Sequence, residues 1–450
     1  MAASTPFPRS RKLLVLFIIG AVIAAYVQLT LTPYRNWPFG IFRNQVDMDV
    51  YRHGAMRWAH GERVYNGPAL GRLLYTYTPF SILVFQPLGW LTKMHAVYLW
   101  SAAIFATLWW VIVTSFRSLG YRMCWQLVVV SGCLVSILSL LEPVRTTIWY
   151  GQINVFLMAL VVWDLVRPGE SRLRGIATGL AAGIKLTPAF FFVYLLIIRR
   201  YRAAATVVAT FATTIVIGFI AMPGDSWKYW SSEAFNSDRV FPTLRVASNQ
   251  SIKGALAMSL GTETPSTLLW LVCIAFAGVL GMVAAWLAHR NGQELLAVTL
   301  VGMTMCAVSP FAWGHHWVWF VLLAVYLVHL MIGFGRRLQA DVQWGRTAQW
   351  RPLMLAILAA VGLYLAVFSW LKSLRGPVHV GVDEWRHGWY AVGVFMNTTP
   401  EWTHWFTSQP YLWVFAVTSV ATIVAWGPAA LRELRAAGSA RTAGPVSPNR

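Results

Sequence analysis

The chain has 450 residues, of which 57% are hydrophobic and only 12% charged. A soluble globular domain carries roughly 25% charged residues, so a soluble enzyme or binding module is excluded. The formal net charge of +20 does not signal a nucleic-acid partner, because the basic residues stand in short clusters between apolar runs (Arg9, Arg11 and Lys12; Arg199, Arg200 and Arg202; Arg336 and Arg337), as loops on the cytoplasmic side of a membrane do.

Taken in chain order, the pattern is that of an all-α polytopic membrane protein. Spans are expected near 13–33, 95–116, 123–141, 151–166, 175–186, 188–199, 203–222, 267–288, 294–309, 317–334, 352–371 and 411–430, about twelve in all. The first reads as an uncleaved anchor, since no small-residue cleavage site precedes Tyr26. Residues 77–91 are apolar but short of the ~20 residues a span needs. Counting them would carry every later arginine cluster across the membrane, so they read as a re-entrant or interfacial helix. The stretch 174–199 is basic at both ends and reads as two short helices broken at Lys185-Leu186-Thr187-Pro188. Proline ends a helical hydrogen-bond ladder, and broken backbone at membrane depth needs a protein-lined cavity.

This topology gathers the basic loops on the side of the N-terminus, the cytoplasmic face of a plasma membrane. It puts 34–94, 142–150, Lys185, 223–266, 309–316 and 372–410 outside. Residues 1–435 read as one membrane domain and 436–450, rich in small residues and proline, as a disordered cytoplasmic tail. The four cysteines lie in apolar runs and read as core.

The polar residues that suit chemistry fall on the external side. Asp47-Met48-Asp49 heads this set. An extended backbone lets the two carboxylates share a divalent metal. A helix over 47–60 puts Asp47 with Tyr51 on one face and Asp49 with His53 on another, leaving one acid to act as a base and the other to cap the helix or pair with Arg52 or His53. The residue pattern favours the helix. Glu142, Arg145, Gln152 and Asn154 follow, with Glu142 and Arg145 at ion-pair spacing. Lys185 at the helix break suits a lipid phosphate, or snorkels to the interface. Asn249 and Gln250 precede a helix as turn or binding residues. His315 and His316 lie about 100° apart on a helix, poorly placed to share a metal. No glycine-rich phosphate loop occurs, so substrates are expected from the lipid or the external face.

These residues sit in motifs whose order resembles glycosyltransferase family 87: Asp47-x-x-Val50-Tyr51, then Tyr77-Thr78-Pro79-Phe80, Glu142-Pro143-x-Arg145, Tyr150-Gly151-Gln152-Ile153-Asn154-Val155, Gly183-x-Lys185-Leu186-Thr187-Pro188, Asn249-Gln250-Ser251, and Ser309-Pro310-x-x-Trp313-x-His315-His316-Trp317. The likeness spans Asp47 to Trp319 and is greatest to the family's polyprenyl-phosphate-mannose-dependent α-1,2-mannosyltransferases of phosphatidylinositol mannoside synthesis. It implies a GT-C fold, a membrane-lipid donor and glycolipid acceptor, and no metal or other cofactor.

The resemblance also assigns roles. Asp47 becomes the catalytic base, and Arg145, Gln152, Lys185, His315 and His316 become groups around the donor phosphate and sugar. Asp49, Tyr51, Tyr77, Glu142, Asn154, Asn249 and Gln250 are secondary candidates. Thr78 stands where the family motif has a proline, a change expected to loosen the local turn. The same architecture serves an arabinofuranosyltransferase or an enzyme branching lipomannan. A transporter would instead show internal repeats and polar residues near the bilayer midplane.

Overall fold

The computed structural model describes residues 5–30, 44–167, 169, 171–235, 243–368, 371–379, 385–391 and 407–442; the segments 371–379, 385–391 and 434–442 are described by backbone alone. The expected outer end of the first span (31–33), residues 369–370, parts of the three large stretches expected outside (34–94, 223–266 and 372–410) and the tail 443–450 lie outside them.

Among the described residues, six helices are long and apolar enough to cross a membrane: α1 (Arg11–Thr30), α5 (Lys93–Ser118), α11 (Tyr201–Ala221), α14 (Thr267–Arg290), α16 (Phe320–Gln343, with its 3-10 lead Gly314–Trp317) and α18 (Pro410–Thr442). The chain is a multi-pass membrane protein. The remaining apolar helices are shorter: α6 (Trp125–Leu138), α8 (Asn154–Leu165), α9 (Ile176–Ile184), α10 (Phe191–Ile197), α15 (Glu294–Val308) and α17 (Arg351–Val367). α8 is joined to α7 (Glu142–Tyr150) through a 119° bend. The region 77–91 forms only α3 (Pro79–Val84) and α4 (Gln86–Gly89), far too short to span ~30 Å at 1.5 Å per residue. In the stretches expected outside the membrane lie α2 (Val46–Ala59), α12 (Pro223–Ser231) and α13 (Ile252–Leu260).

The contacts sort the helix ends into two sets. At one end Thr5 bonds to Gly120 and Arg122, Arg336 to Pro6, and Asp164 to Gly175 and Thr178. Glu294 there meets Arg200 and His289, and Arg290 meets Glu433. These are the arginine-rich loops. At the opposite end Gln45 meets Trp149, Thr78 meets Gly183, Lys185 meets His316 and Asn249 meets Trp313.

The all-α architecture carries two small antiparallel pairings in its loops: β1 (Pro68–Leu70) with β2 (Leu73–Leu74), and β3 (Leu371–His379) with β4 (Trp385–Ala391). Loops long enough to fold back can satisfy their backbone groups on themselves. At the C-terminus, α18 runs on to Thr442. The sequence LRELRAAG there is rich in helix formers, which sustains the turn ladder beyond the apolar run.

Glycines set the closest helix contacts. Gly175, Gly179 and Gly183, four apart on α9, lie so close to α11 that a Cβ would come within 2.4–2.7 Å of Ala203, Thr210 or Thr214. Small residues at this spacing let helix backbones meet in a membrane. Asp164, fully buried, closes the other end of α9: its carboxylate accepts from the Gly175 and Thr178 backbone N–H groups, the Thr178 hydroxyl at 2.8 Å and Arg167 at 3.3 Å.

Asp164→Ala strands these donors and should lower stability by about 3 kcal/mol. Glu433→Ala, which breaks an exposed pair with Arg290, should cost within about 1 kcal/mol. Apparent melting temperatures in detergent measure the difference.

Candidate active site

The site begins with the way α2 is hung. Gln45, just before it, takes the left-handed conformation (φ 49°), which is rare outside glycine. It is held there by its own N–H on the Trp149 carbonyl (2.8 Å) and its side-chain amide on the Ile148 carbonyl (2.5 Å). α2 therefore starts against the last turn of α7. Gly151 ends α7 with φ 69°, and a Cβ there would lie 2.6 Å from both Met48 and the Gln45 side-chain oxygen. Only glycine satisfies that backbone angle and that approach together. Trp100 fixes the turn further by donating to the Gly151 carbonyl at 2.7 Å.

The turn after Gly151 delivers Gln152. Its amide nitrogen donates to Asp47 Oδ2 at 2.6 Å. Its oxygen lies 3.1 Å from each of the Tyr51 and Tyr77 hydroxyls, which are 2.8 Å from one another, and 3.4 Å from Asn154 Nδ2. A Gln amide has one accepting and one donating end, and an ionised carboxylate can only accept, so Asp47 takes the donating end and the two hydroxyls donate to the other. The chain continues through Asn154, whose oxygen accepts from Lys185 Nζ at 3.0 Å. Lys185 Nζ lies 3.1 Å from His316 Nε2 and 5.2 Å from the Tyr77 ring centroid. One acid, two amides, one cation and one imidazole thus form a continuous polar line.

Lys185 reaches this line because α9 stops at Ile184. Lys185 itself is extended (φ −142°, ψ 131°), and Pro188 opens the 3-10 turn Thr187–Phe190 before α10. Thr78 secures the break. Its hydroxyl donates to the Gly183 carbonyl and accepts the Ser81 N–H, capping α3 at the Thr-Pro step. The expected loosening is therefore corrected: the hydroxyl adds two tethers that a proline lacks.

Asp47 retains a partly exposed edge. Burial of its carboxyl group raises the pKa to about 6, against the lowering effects of the Gln152 hydrogen bond and the nearby Lys185 charge. Asp49, three residues into α2, points elsewhere. It accepts from Lys93 at 2.8 Å, with His53 at 3.4 Å and Arg52 at 3.9 Å. The helical phase separates the two acids, as the sequence leads one to expect, and their oxygens do not converge. Lys93 is a partner that no local spacing reveals.

The remaining candidates fall into three places. His315 is buried, with its ring 5.6 Å from Tyr150, 6.2 Å from Trp313 and 4.9 Å from His316. Neither of its ring nitrogens has a hydrogen-bond partner among the described residues, and only its carbonyl oxygen touches the line, accepting from Asn154 at 2.9 Å. Glu142 and Arg145 are buried on α7, where Glu142 accepts from Tyr411 at 2.6 Å and Arg145 lies beside Tyr150. Asn249 and Gln250 brace loops away from Asp47. Asn249 accepts from Ser251 and the Ala312 N–H, and Gln250 spans Ala247, Ser408 and Tyr411. They hold the segment that carries the histidines and the start of α18.

The family model for glycosyltransferase family 87 matches residues 75–310. The chain is similar to the polyprenol-phosphate-mannose-dependent alpha-(1-2)-phosphatidylinositol mannoside mannosyltransferases of Mycobacterium tuberculosis (strain ATCC 25618 / H37Rv) and Mycolicibacterium smegmatis (strain ATCC 700084 / mc(2)155). Identity to the first is 31% over 414 residues, covering 85% of this chain and 89% of that protein. Identity to the second is 30% over 422 residues, covering 85% and 87%. It is also 32% identical over 300 residues, 63% of this chain and 66% of the relative, to the corresponding phosphatidylinositol pentamannoside mannosyltransferase of M. tuberculosis (strain CDC 1551 / Oshkosh). No solved structure matches.

The Gln152 amide makes a separable prediction. Gln152→Leu removes the shared acceptor of two buried hydroxyls and should lower stability by about 1–3 kcal/mol. Adding Tyr51→Phe and Tyr77→Phe should recover part of that loss, because the stranded groups go with their partner. Melting temperatures of the single, double and triple variants test the coupling.

Proposed function

Because the chain belongs to glycosyltransferase family 87, it is a glycosyltransferase, and we propose that it moves mannose from a polyprenyl-phosphate donor to a phosphatidylinositol-mannoside acceptor. The linkage formed is α-1,2 and the displacement inverting. The names of the relatives supply the donor and acceptor classes. The observation that carries the mechanism is the line from Asp47 to His316, with a lone carboxylate at one end and a cation at the other.

In this mechanism the acceptor hydroxyl gives its proton to Asp47 as its oxygen attacks the anomeric carbon of a β-mannosyl phosphate. The bond from that carbon to the phosphate oxygen breaks, and polyprenyl phosphate leaves with the electron pair. Lys185 and His316 meet the charge gathering on the phosphate, with Arg145 and His315 behind them. Gln152 holds Asp47 in place and Asn154 holds Lys185. Donors aimed at developing charge in a site poor in water act strongly, and a base whose pKa lies near the working pH accepts a proton efficiently.

We further propose a GT-C architecture of about twelve crossings, counting the broken pair α9 and α10 and the shorter apolar helices. Residues 1–435 act as one catalytic unit. The site opens on the external face of the plasma membrane, opposite the arginine-rich loops.

Purified enzyme given polyprenyl-phosphate mannose and, separately, its arabinose counterpart should form product with the mannose donor, with and without chelator. Product masses over a panel of phosphatidylinositol mannosides identify the acceptor. Transfer from the arabinose donor alone would overturn the sugar assignment, and loss in chelator would restore a metal at Asp47 and Asp49.

The base assignment has its own test. Asp47 accepts a proton only when ionised, so kcat/KM should fall about tenfold per pH unit below about 6 and level off above it. Asp47→Asn should cut kcat/KM by about 10²–10⁴-fold and abolish that acid limb. Substantial activity in Asp47→Asn would remove the base from this position.

A further inference from the structure

At the arginine-rich end of the bundle, a strap formed by residues 5–10 folds back against the helices. Thr5 exchanges backbone hydrogen bonds with Gly120 (2.9 Å) and Arg122 (3.0 Å). Phe7 is buried, with its ring 5.6 Å from Phe116 and 5.4 Å from Tyr121. Arg336 donates to the Pro6 carbonyl at 2.5 Å. The strap closes one side of a cavity of about 890 Å³ between α1, α16 and α17. That volume lies in the range of ligand sites, ~300–1,000 Å³.

The cavity is divided by chemistry. Leu13, Phe17, Met331, Ile332, Leu353 and Ile357 make its walls. Arg9 and Arg336 line it with Ser10 and Gln339, and no acidic side chain lines it among the described residues. Asp341 lies further along α16, outside the lining. The cavity adjoins surface made for lipid, since Leu16 on α1 is 65% exposed and Leu355 on α17 67% exposed. A soluble anion would leave the apolar walls unfilled, and an apolar molecule would leave two guanidinium groups without a counter-charge.

We propose that this cavity is a binding site for an anionic phospholipid. Its phosphate sits between Arg9 and Arg336, and one acyl chain lies along Phe17, Met331 and Ile332. The lipid enters sideways from the leaflet at the arginine-rich end. By pairing with Arg336, which also holds Pro6, it stiffens the strap. The site is separate from the Asp47 line, at the other end of the bundle, and stands whether or not the sugar-transfer reading does.

The test uses the full-length protein in phosphatidylcholine nanodiscs. Phosphatidylglycerol with the same acyl chains is titrated in, and bound lipid is read by native mass spectrometry alongside the apparent melting temperature. Phosphatidylglycerol should be retained and should raise the melting temperature. Arg9→Gln with Arg336→Gln should weaken its apparent affinity about 30-fold, from about 1 kcal/mol for each cation at an anionic leaflet and tenfold per 1.4 kcal/mol.

Arg337→Gln removes the same charge from a side chain that lies over the Phe334 ring, outside the cavity, and should leave binding unchanged. If the double variant does not fold, Arg9→Gln alone should cost about 5-fold on the same scale. The proposal is overturned if phosphatidylcholine is retained equally, if inorganic phosphate competes as well as the lipid, or if Arg337→Gln weakens binding as much as the cavity variants.

Discussion

A buried amide has to be satisfied at both ends, and Gln152 meets that demand with groups drawn from distant parts of the chain. Its oxygen takes the hydroxyls of Tyr51 and Tyr77, 101 and 75 residues away, and its nitrogen takes Asp47, 105 residues away. An unmet buried polar group costs about 1–3 kcal/mol, so α2, the Tyr77 turn and the α7–α8 bend are pinned together as one object. The position of Lys185 then follows through Asn154, the next residue but one. The acid and the cation of the site are set by the hydrogen-bonding capacity of two side chains that themselves carry no charge.

The two ends of the bundle are built differently. Where the arginines gather, two acids are neutralised locally: Asp164 takes four donors around the start of α9, and Glu294 takes Arg200, His289 and Tyr194. These clusters fix helix ends. At the opposite end, the carboxyl group of Asp47 is left with an amide and a distant cation, and burial raises its pKa. That contrast distinguishes the two ends more clearly than either composition or burial alone.

Much of this was legible in the sequence, and what was not has a common cause. The α2 phase that parts Asp47 from Asp49 follows from helical periodicity, and the break at Lys185 follows from Pro188 and basic flanks. The motif order also predicts the family that the comparisons establish. What local reading missed depends on partners far along the chain. Lys93 meets Asp49 from 44 residues away, Thr78 reaches Gly183 across 105, and Gln250 spans to Ser408 across 158. Asn249 and Gln250 are polar, clustered and near a helix start, which reads equally as binding or bracing. Only the tertiary contacts show the bracing. Gln45 carried no signal, since a left-handed glutamine is an outcome of its anchors rather than of its type.

Gly151 gives the site its tolerance. The room between α7 and α2 at this point is that of a single hydrogen atom, since a methyl carbon would meet Met48 and Gln45 at 2.6 Å. A spacer of one carbon would lever the first turn of α2, and the acid it carries, off the Gln152 amide. Where a reaction depends on near-attack geometry, a shift of about 1 Å costs on the order of 10²-fold in rate. The spacing of the site is thus gauged by the smallest side chain in the alphabet, three positions before α8 begins.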